Sequence, residues 1–253
     1  MATSTRPGEF EVTPRQQLAR GRFVATLSST MIALAKPTVV VRAATLADVP
    51  HLVVMNHAAY PELVEENVVW NEGQLRSHIA RFPQGQLVAD VNGVPMGAIS
   101  TFIVSRARDP LDAHTWLGIT EDGTFAGHDP GGDTLYLADI YVDPTAWGKG
   151  VSQTLYAALC DLCVRLGLRR VVAGGRLWGY HEHAATLTPQ EYIARVLRGE
   201  LRDRVLGSQI NAGFVVRGVL VGYLRDPRSQ DFATLLEWMP PSQATGEISP
   251  RPT

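Results

Sequence analysis

Asp139-Ile-Tyr-Val-Asp-Pro-Thr-Ala-Trp-Gly-Lys-Gly-Val-Ser-Gln153 is the stretch that decides the fold. Its first residues end the run TLYLADIYV, whose alternation and β-branched and aromatic content predict a strand over 134–142. Gly148 and Gly150 follow in a turn. From there Val151, Leu155, Leu159, Leu162 and Leu166 recur at helical spacing and predict a helix over 148–166. A strand that runs through a glycine-bearing turn into a helix leaves free backbone N–H groups at the helix start, and these attract phosphate. Lys149 adds positive charge. Glycines also make tight turns for purely structural reasons, so the pair alone leaves both readings open. Two common phosphate loops are excluded, because neither GxxxxGK[ST] nor the GxGxxG spacing occurs here.

Working outward, further strands are expected over 38–43, 86–91, 96–104, 169–173, 215–223 and 232–238, with Asn92-Gly93 as a tight hairpin turn. Thr45 reads as the N-cap of a helix to about residue 59, and a second helix fits 71–82, with Leu75, Ile79 and Phe82 on one side. Thr188-Pro189 opens another helix, and 205–212 is a short one closed by Gly213. Residues 105–133, rich in Gly, Asp, Pro and His, form a long excursion of the kind that lines sites. The pattern is a mixed α/β domain over 37–239 with no internal repeat. Before it lie a polar tail over 1–13 and a helix over 14–35, with Leu18, Phe23, Leu27, Met31 and Leu34 on one face. That helix reads as a docking element or a leftover of a larger polypeptide. Ser28, Ser29 and Thr30 break its apolar part, which argues against a signal peptide. Residues 240–253, with four prolines, read as a loose tail.

The 253 residues are 45% hydrophobic and carry a formal net charge of −2. That balance fills a core and offers no basic surface to nucleic acid or an anionic membrane. No run of 18 apolar residues exists to span a bilayer. Cys160 and Cys163 lie inside a helical run without a second Cys/His pair, so they read as buried residues of a reducing, cytoplasmic compartment. His114 and His128 with Asp112 or Asp129 match no compact ligand set, and no metal is expected.

Val142-Asp-Pro followed by Trp-Gly-Lys-Gly-Val-Ser resembles motif A of the GNAT superfamily of N-acetyltransferases. So do, in one subgroup, Phe82-Pro-Gln-Gly-Gln86, His114-Thr-Trp116, Ala173-Gly-Gly-Arg-Leu-Trp-Gly-Tyr-His181, Asn211-Ala-Gly-Phe214 and Ala233-Thr-Leu-Leu-Glu-Trp238. That subgroup is often joined to a nitrilase-like domain and is related to GNAT-like loading domains of polyketide synthases. The resemblance covers about residues 38–238. It implies a mostly antiparallel sheet, split to hold acyl-CoA and flanked by helices. Ile140, Tyr141 and Val142 would line the pantetheine. Trp147, Gly148, Lys149, Gly150, Val151, Ser152 and Gln153 would form the pyrophosphate loop. Trp147 stands where the family usually has Arg or Gln, and Ser152 replaces the last small residue.

Acyl transfer from a thioester needs a polarised carbonyl, a base for the acceptor and a proton for the leaving thiolate. The resemblance implies a backbone N–H near Val142 for the first. Asp139, three residues earlier on the strand, is the leading candidate base; its alternative is a cap or ion-pair role. For the third, the family's usual tyrosine position, four residues before Gly213, holds Gln209, which orients but cannot act as an acid. Tyr180, His181 and His183 follow the next strand and are alternatives for proton traffic. Trp70, His114, Trp116 and Arg176 are candidates for substrate contact, each with a plain packing or ion-pair alternative. The expected donor is acetyl-CoA or another short acyl-CoA. The expected acceptor is a small-molecule amine or, alternatively, the phosphopantetheine thiol of an acyl carrier protein, with or without decarboxylation of malonyl- or methylmalonyl-CoA. The remaining alternative is a degenerate, non-catalytic scaffold.

Overall fold

A computed structural model describes residues 38–66 and 68–241; the tail and helix expected over 1–36, and the tail from 242 onward, lie outside the described residues. Seven strands form one sheet in the order β1-β2-β3-β4-β5-β7-β6. They are β1 (Val39–Ala43), β2 (Gln86–Val91), β3 (Val94–Val104), β4 (Thr134–Val142), β5 (Arg170–Arg176), β6 (Val215–Leu220) and β7 (Ala233–Trp238). Every pairing is antiparallel except β4 with β5. The helices are α1 (Val49–Ala59), α2 (Glu72–Arg81), α3 (Trp116–Thr120), α4 (Val151–Arg165), α5 (Pro189–Leu197) and α6 (Arg204–Asn211).

The alternation of side chains along the strands divides the core into two layers. Leu135, Leu137, Val171 and Ala173 pack with Leu155, Leu159 and Leu162 of α4 and with residues of α5 and α6. Tyr136, Ala138 and Val172 face the other way, against Leu52 and Met55 of α1, Leu75 of α2 and Trp116 of α3. The α4 leucines are essentially inaccessible to solvent, and each contributes about 2 kcal/mol of hydrophobic stabilisation.

Several boundaries differ from expectation. The N-cap of α1 is Asp48, and Thr45 donates its N–H and hydroxyl to that carboxylate instead. The third helix, within 105–133, escapes periodicity because it spans one turn. Thr115 caps it by accepting from Gly118 N. The excursion is packed rather than loose: His78 of α2 stacks on Phe125 at 3.6 Å and bonds Gly123 O at 2.7 Å. The sixth strand ends at Leu220, leaving Tyr223 in the loop before β7. Both cysteines are free, and burial pushes both thiols up to about 12, which makes them unreactive at neutral pH.

Candidate active site

β4 and β5 pair only from Thr134 to Leu137 and from Arg170 to Ala173. Beyond that point the strands part, and a cavity of about 380 Å³ opens between them. β4 also carries a bulge. Ser100 pairs with Asp139 while Thr101 pairs with Leu137, so Ala138 is an extra residue. Side chains alternate up to Ala138, and the bulge then shifts the alternation by one. Without it Asp139 would point toward α4. With it, Asp139 faces α1, where Asn56 Nδ2 donates to Oδ2 at 2.9 Å and the Tyr60 hydroxyl donates to Oδ1 at 2.9 Å.

Burial pushes the Asp139 carboxyl up to about 6, against the hydrogen bonds from Tyr60 and Asn56 that pull it down. The Trp70 N–H also lowers it from outside hydrogen-bond geometry. Trp70 itself lies wholly in the core. Its backbone N–H donates to Asn56 Oδ1 at 2.8 Å, which fixes the way the Asn56 amide faces. Trp70 thus supports the carboxylate and is absent from the cavity lining, where a substrate contact was expected. Asn56 and Tyr60 were not foreseen. The one available signal was an asparagine on the otherwise apolar buried face of α1, with Leu52, Met55 and Ala59.

Three carbonyls of β4 point into the opening, and each is taken by a side chain. Trp116 Nε1 donates to Ala138 O at 3.0 Å, the Tyr60 hydroxyl, whose one proton lies between Asp139 Oδ1 and this carbonyl, to Ile140 O at 2.7 Å, and Trp147 Nε1 to Val142 O at 2.9 Å. In extended backbone a residue's N–H faces the same way as its carbonyl, which turns the N–H groups of Ile140 and Val142 to the same opening. Below them, Gly148 and Gly150 adopt φ of 74° and 82°, a region open to glycine without strain. Nothing lies within 4 Å of where a Cβ would stand at either. Gly150 caps α4 without a side-chain partner, so the first N–H groups of this 15-residue helix face open space.

Of the residues expected to hold acyl-CoA, all but Lys149 line the cavity, as do Asp139, Trp116, Arg176 and Gln209. Arg176 is bonded to Asp226 at 2.7 Å and to Glu62 at 2.9 Å, so it holds the wall as an ion pair. Burial opposes its charge, but Asp226 and Glu62 outweigh that and keep it above its usual range. Gln209 is buried, with Oε1 unpartnered, and its amide lies beside the Tyr156 hydroxyl. Tyr156 of α4, which reads in the sequence as a helix-interior residue, also lines the cavity.

Tyr180 and His181 stand elsewhere. The Tyr180 hydroxyl donates to Leu187 O at 2.9 Å, and His181 is one-third exposed beside Glu182. The turn after β5 carries both away from the opening, and neither lines it. His114 likewise does not line the cavity. Its Nε2 meets the Tyr136 hydroxyl at 2.8 Å, and Tyr136 meets the Tyr223 hydroxyl at 3.0 Å, so it touches the wall at second hand. Among the described residues no group of three His, Cys, Asp or Glu is placed to hold a metal ion. No described helix is long and apolar enough to cross a membrane.

The family model described as the Acetyltransferase (GNAT) family matches residues 55–184. YkwB of Bacillus subtilis (strain 168), described as an uncharacterized N-acetyltransferase, is 33% identical over 198 residues, 78% of this chain and 87% of the relative. A probable hydrolase of the same organism, YhcX, is 35% identical over 170 residues, but the match spans only 33% of that protein. Among solved structures, the loading GNATL domain of CurA from Lyngbya majuscula superposes with a TM-score of 0.68 at 21% identity, covering 80% of this chain and 98% of that one. The GphF GNAT-like decarboxylase in complex with isobutyryl-CoA gives 0.65 at 21% identity, with 79% and 98% covered. At that identity the likeness is one of fold.

Proposed function

Because the chain belongs to the Acetyltransferase (GNAT) family, and so is an acyl-CoA-dependent acyltransferase, we propose that it moves a short acyl group, acetyl first among them, from CoA to an amine, with Asp139 as general base. The observation that carries this reading is the half-buried Asp139, turned by the β4 bulge to the mouth of the split and raised to about 6. A base must be ionised at the working pH yet hold a proton long enough to pass it on, and a value near 6 meets both demands. A mere scaffold has no use for a half-buried carboxylate held by hydrogen bonds alone, without a cation bonded to it.

In this reading residues 148–153 hold the pyrophosphate through helix-start N–H groups. The open edge of β4 receives the pantetheine. An N–H near Val142 donates to the thioester oxygen and stabilises the oxyanion as the amine attacks. Asp139, directly or through a water, takes the amine proton. The carbon–sulfur bond then breaks, and the thiolate leaves toward Gln209 and Tyr156. Gln209 orients through its amide, while Tyr156 is the hydroxyl beside it that can return a proton. Tyr180 and His181 take no part.

The experiment is to incubate the protein with acetyl-, malonyl- and methylmalonyl-CoA in the presence of an amine panel or a holo acyl carrier protein, and to read thiol release and intact masses. Acyl gain on an amine supports the reading. Gain on the carrier thiol alone replaces it with the loading alternative, and the mass shows whether carbon dioxide was lost. CoA-induced melting shifts without any transfer refute Asp139 as a working base.

A further inference from the structure

Along one wall of the cavity, α6, the turn after β5 and Trp147 of the loop before α4 build a stack of indoles and guanidiniums. The Arg204 guanidinium lies over Trp147 at 4.3 Å and over Trp178 at 4.1 Å, and Arg228 lies over Trp178 at 4.3 Å. The charges around this stack do not balance. Arg176 is held by Asp226 and Glu62, and Arg228 lies 3.5 Å from the same Glu62. Three guanidiniums thus share two carboxylates, and Arg204 is the one with no acidic partner among the described residues. Nor does it donate a hydrogen bond to any described residue.

Rings that lie over a guanidinium fix its plane while leaving its in-plane N–H fork free. That fork suits the paired oxygens of a carboxylate or phosphate. Arg204 is exposed, and only its partial burial works against its charge; Glu62 supports the charge, and Arg176 and Arg228 work against it further, so an incoming anion would relieve all three guanidiniums at once. One helical turn on, Ser208 also lines the cavity, and its Oγ is buried without a partner.

We propose that Arg204, clamped by Trp147 and Trp178, recognises an oxyanion carried by the acceptor at a distance from its nucleophile, a carboxylate or a phosphate. This rests on the acyltransferase reading above and deepens it. The acceptor is favoured over CoA because the guanidinium's charged neighbours are Glu62, Arg176 and Arg228, and Arg176 lies over the ring of Tyr60, the residue bonded to Asp139. The CoA phosphates have their own cradle at the start of α4.

Calorimetry on the CoA-saturated protein with two matched probe pairs tests it: 4-aminobutyrate against n-butylamine, and pantetheine 4′-phosphate against pantetheine. At least one member that carries the oxyanion should bind about 10-fold or more tightly than its partner without it, the value of a charge-assisted hydrogen bond. Arg204→Met should erase that preference and cost CoA affinity less than it costs the preference, because Trp147 of the phosphate loop loses only its stacked guanidinium. Arg204→Lys, which keeps the charge without the fork, should fall between the two. The responding pair distinguishes a small acidic amine from a phosphopantetheine arm. Equal binding of probes with and without the oxyanion, a preference that survives Arg204→Met, or a loss confined to CoA affinity would each overturn the inference. Anion-selective binding without any acyl transfer would leave it standing and fail the acyltransferase assignment instead. Should CoA not bind, the same pairs titrated into the free protein discriminate in the same way.

Discussion

Replacing Asp139 with asparagine should make the protein more stable and much less active, and the size of the gain can be worked from its surroundings. The folded-state carboxyl titrates at about 6 against an ordinary 3.8. A shift of about two units, at 1.36 kcal/mol each, costs about 3 kcal/mol when the group is ionised. Because the folded value is the higher one, protonation favours folding. On account of this group the wild type is most stable below pH 3.8. It loses that stability as pH rises from 3.8 to about 6 and carries the full cost above.

Asparagine removes the cost, provided its amide is satisfied. Asn56 cannot turn, since its Oδ1 accepts from Trp70 N. The new side chain must therefore place its oxygen at Asn56 Nδ2 and its nitrogen at the Tyr60 oxygen. Tyr60 can accept there while still donating to Ile140 O. Asn56 and Tyr60, the two groups bonded to the carboxylate, thus each keep a partner. Thermal unfolding of the two proteins at pH 4 and pH 8 is the assay. Asp139→Asn should melt on the order of 5–10 °C higher at pH 8, with the gap closing toward zero at pH 4. A gap of equal size at both pH values, or a destabilised variant at pH 8, would refute the burial account of this carboxylate. Acyl transfer by the variant should fall by 10²-fold or more, on the order of a lost general base.

Two further expectations concern the same cavity. The pH profile of kcat/KM should lose activity as pH falls through about 6, and Tyr60→Phe, which removes a hydrogen bond that favours the ionised carboxylate, should move that limb upward; an unmoved limb would take the role from Asp139. Gly174→Ala should cost about 1–3 kcal/mol of stability through overpacking and weaken acyl-CoA binding, because its Cβ would fall 2.2 Å from the Tyr223 ring; calorimetry with CoA and a melt of the variant check both.

How much of this was legible before the structure depended on how local each signal was. The strand, turn and helix around Gly148 announce themselves within twenty residues, so the loop and Asp139 were found where they stand. Asn56 and Tyr60 meet Asp139 across some eighty positions of chain, and only the bulge at Ala138 brings them together. A bulge leaves no mark in a run such as TLYLADIYV. Arg204 was passed over for another reason, since an arginine before a short helix reads as a solvated end until Trp147 and Trp178 are seen beside it. Tyr180 and His181 failed as candidates because nearness in sequence to β5 does not fix the direction in which the following turn departs.

A sheet parted in its middle has an inner border as well as two outer ones, and an unpaired row of backbone groups invites any passing strand to add to it. Here the three carbonyls of that row are already engaged by Trp116, Tyr60 and Trp147, none of which can itself extend a ladder. The protein therefore carries side-chain caps along the inner border of its split. It guards the opening against self-association and domain swapping, yet leaves the edge accessible to a slender chain that brings acceptors of its own.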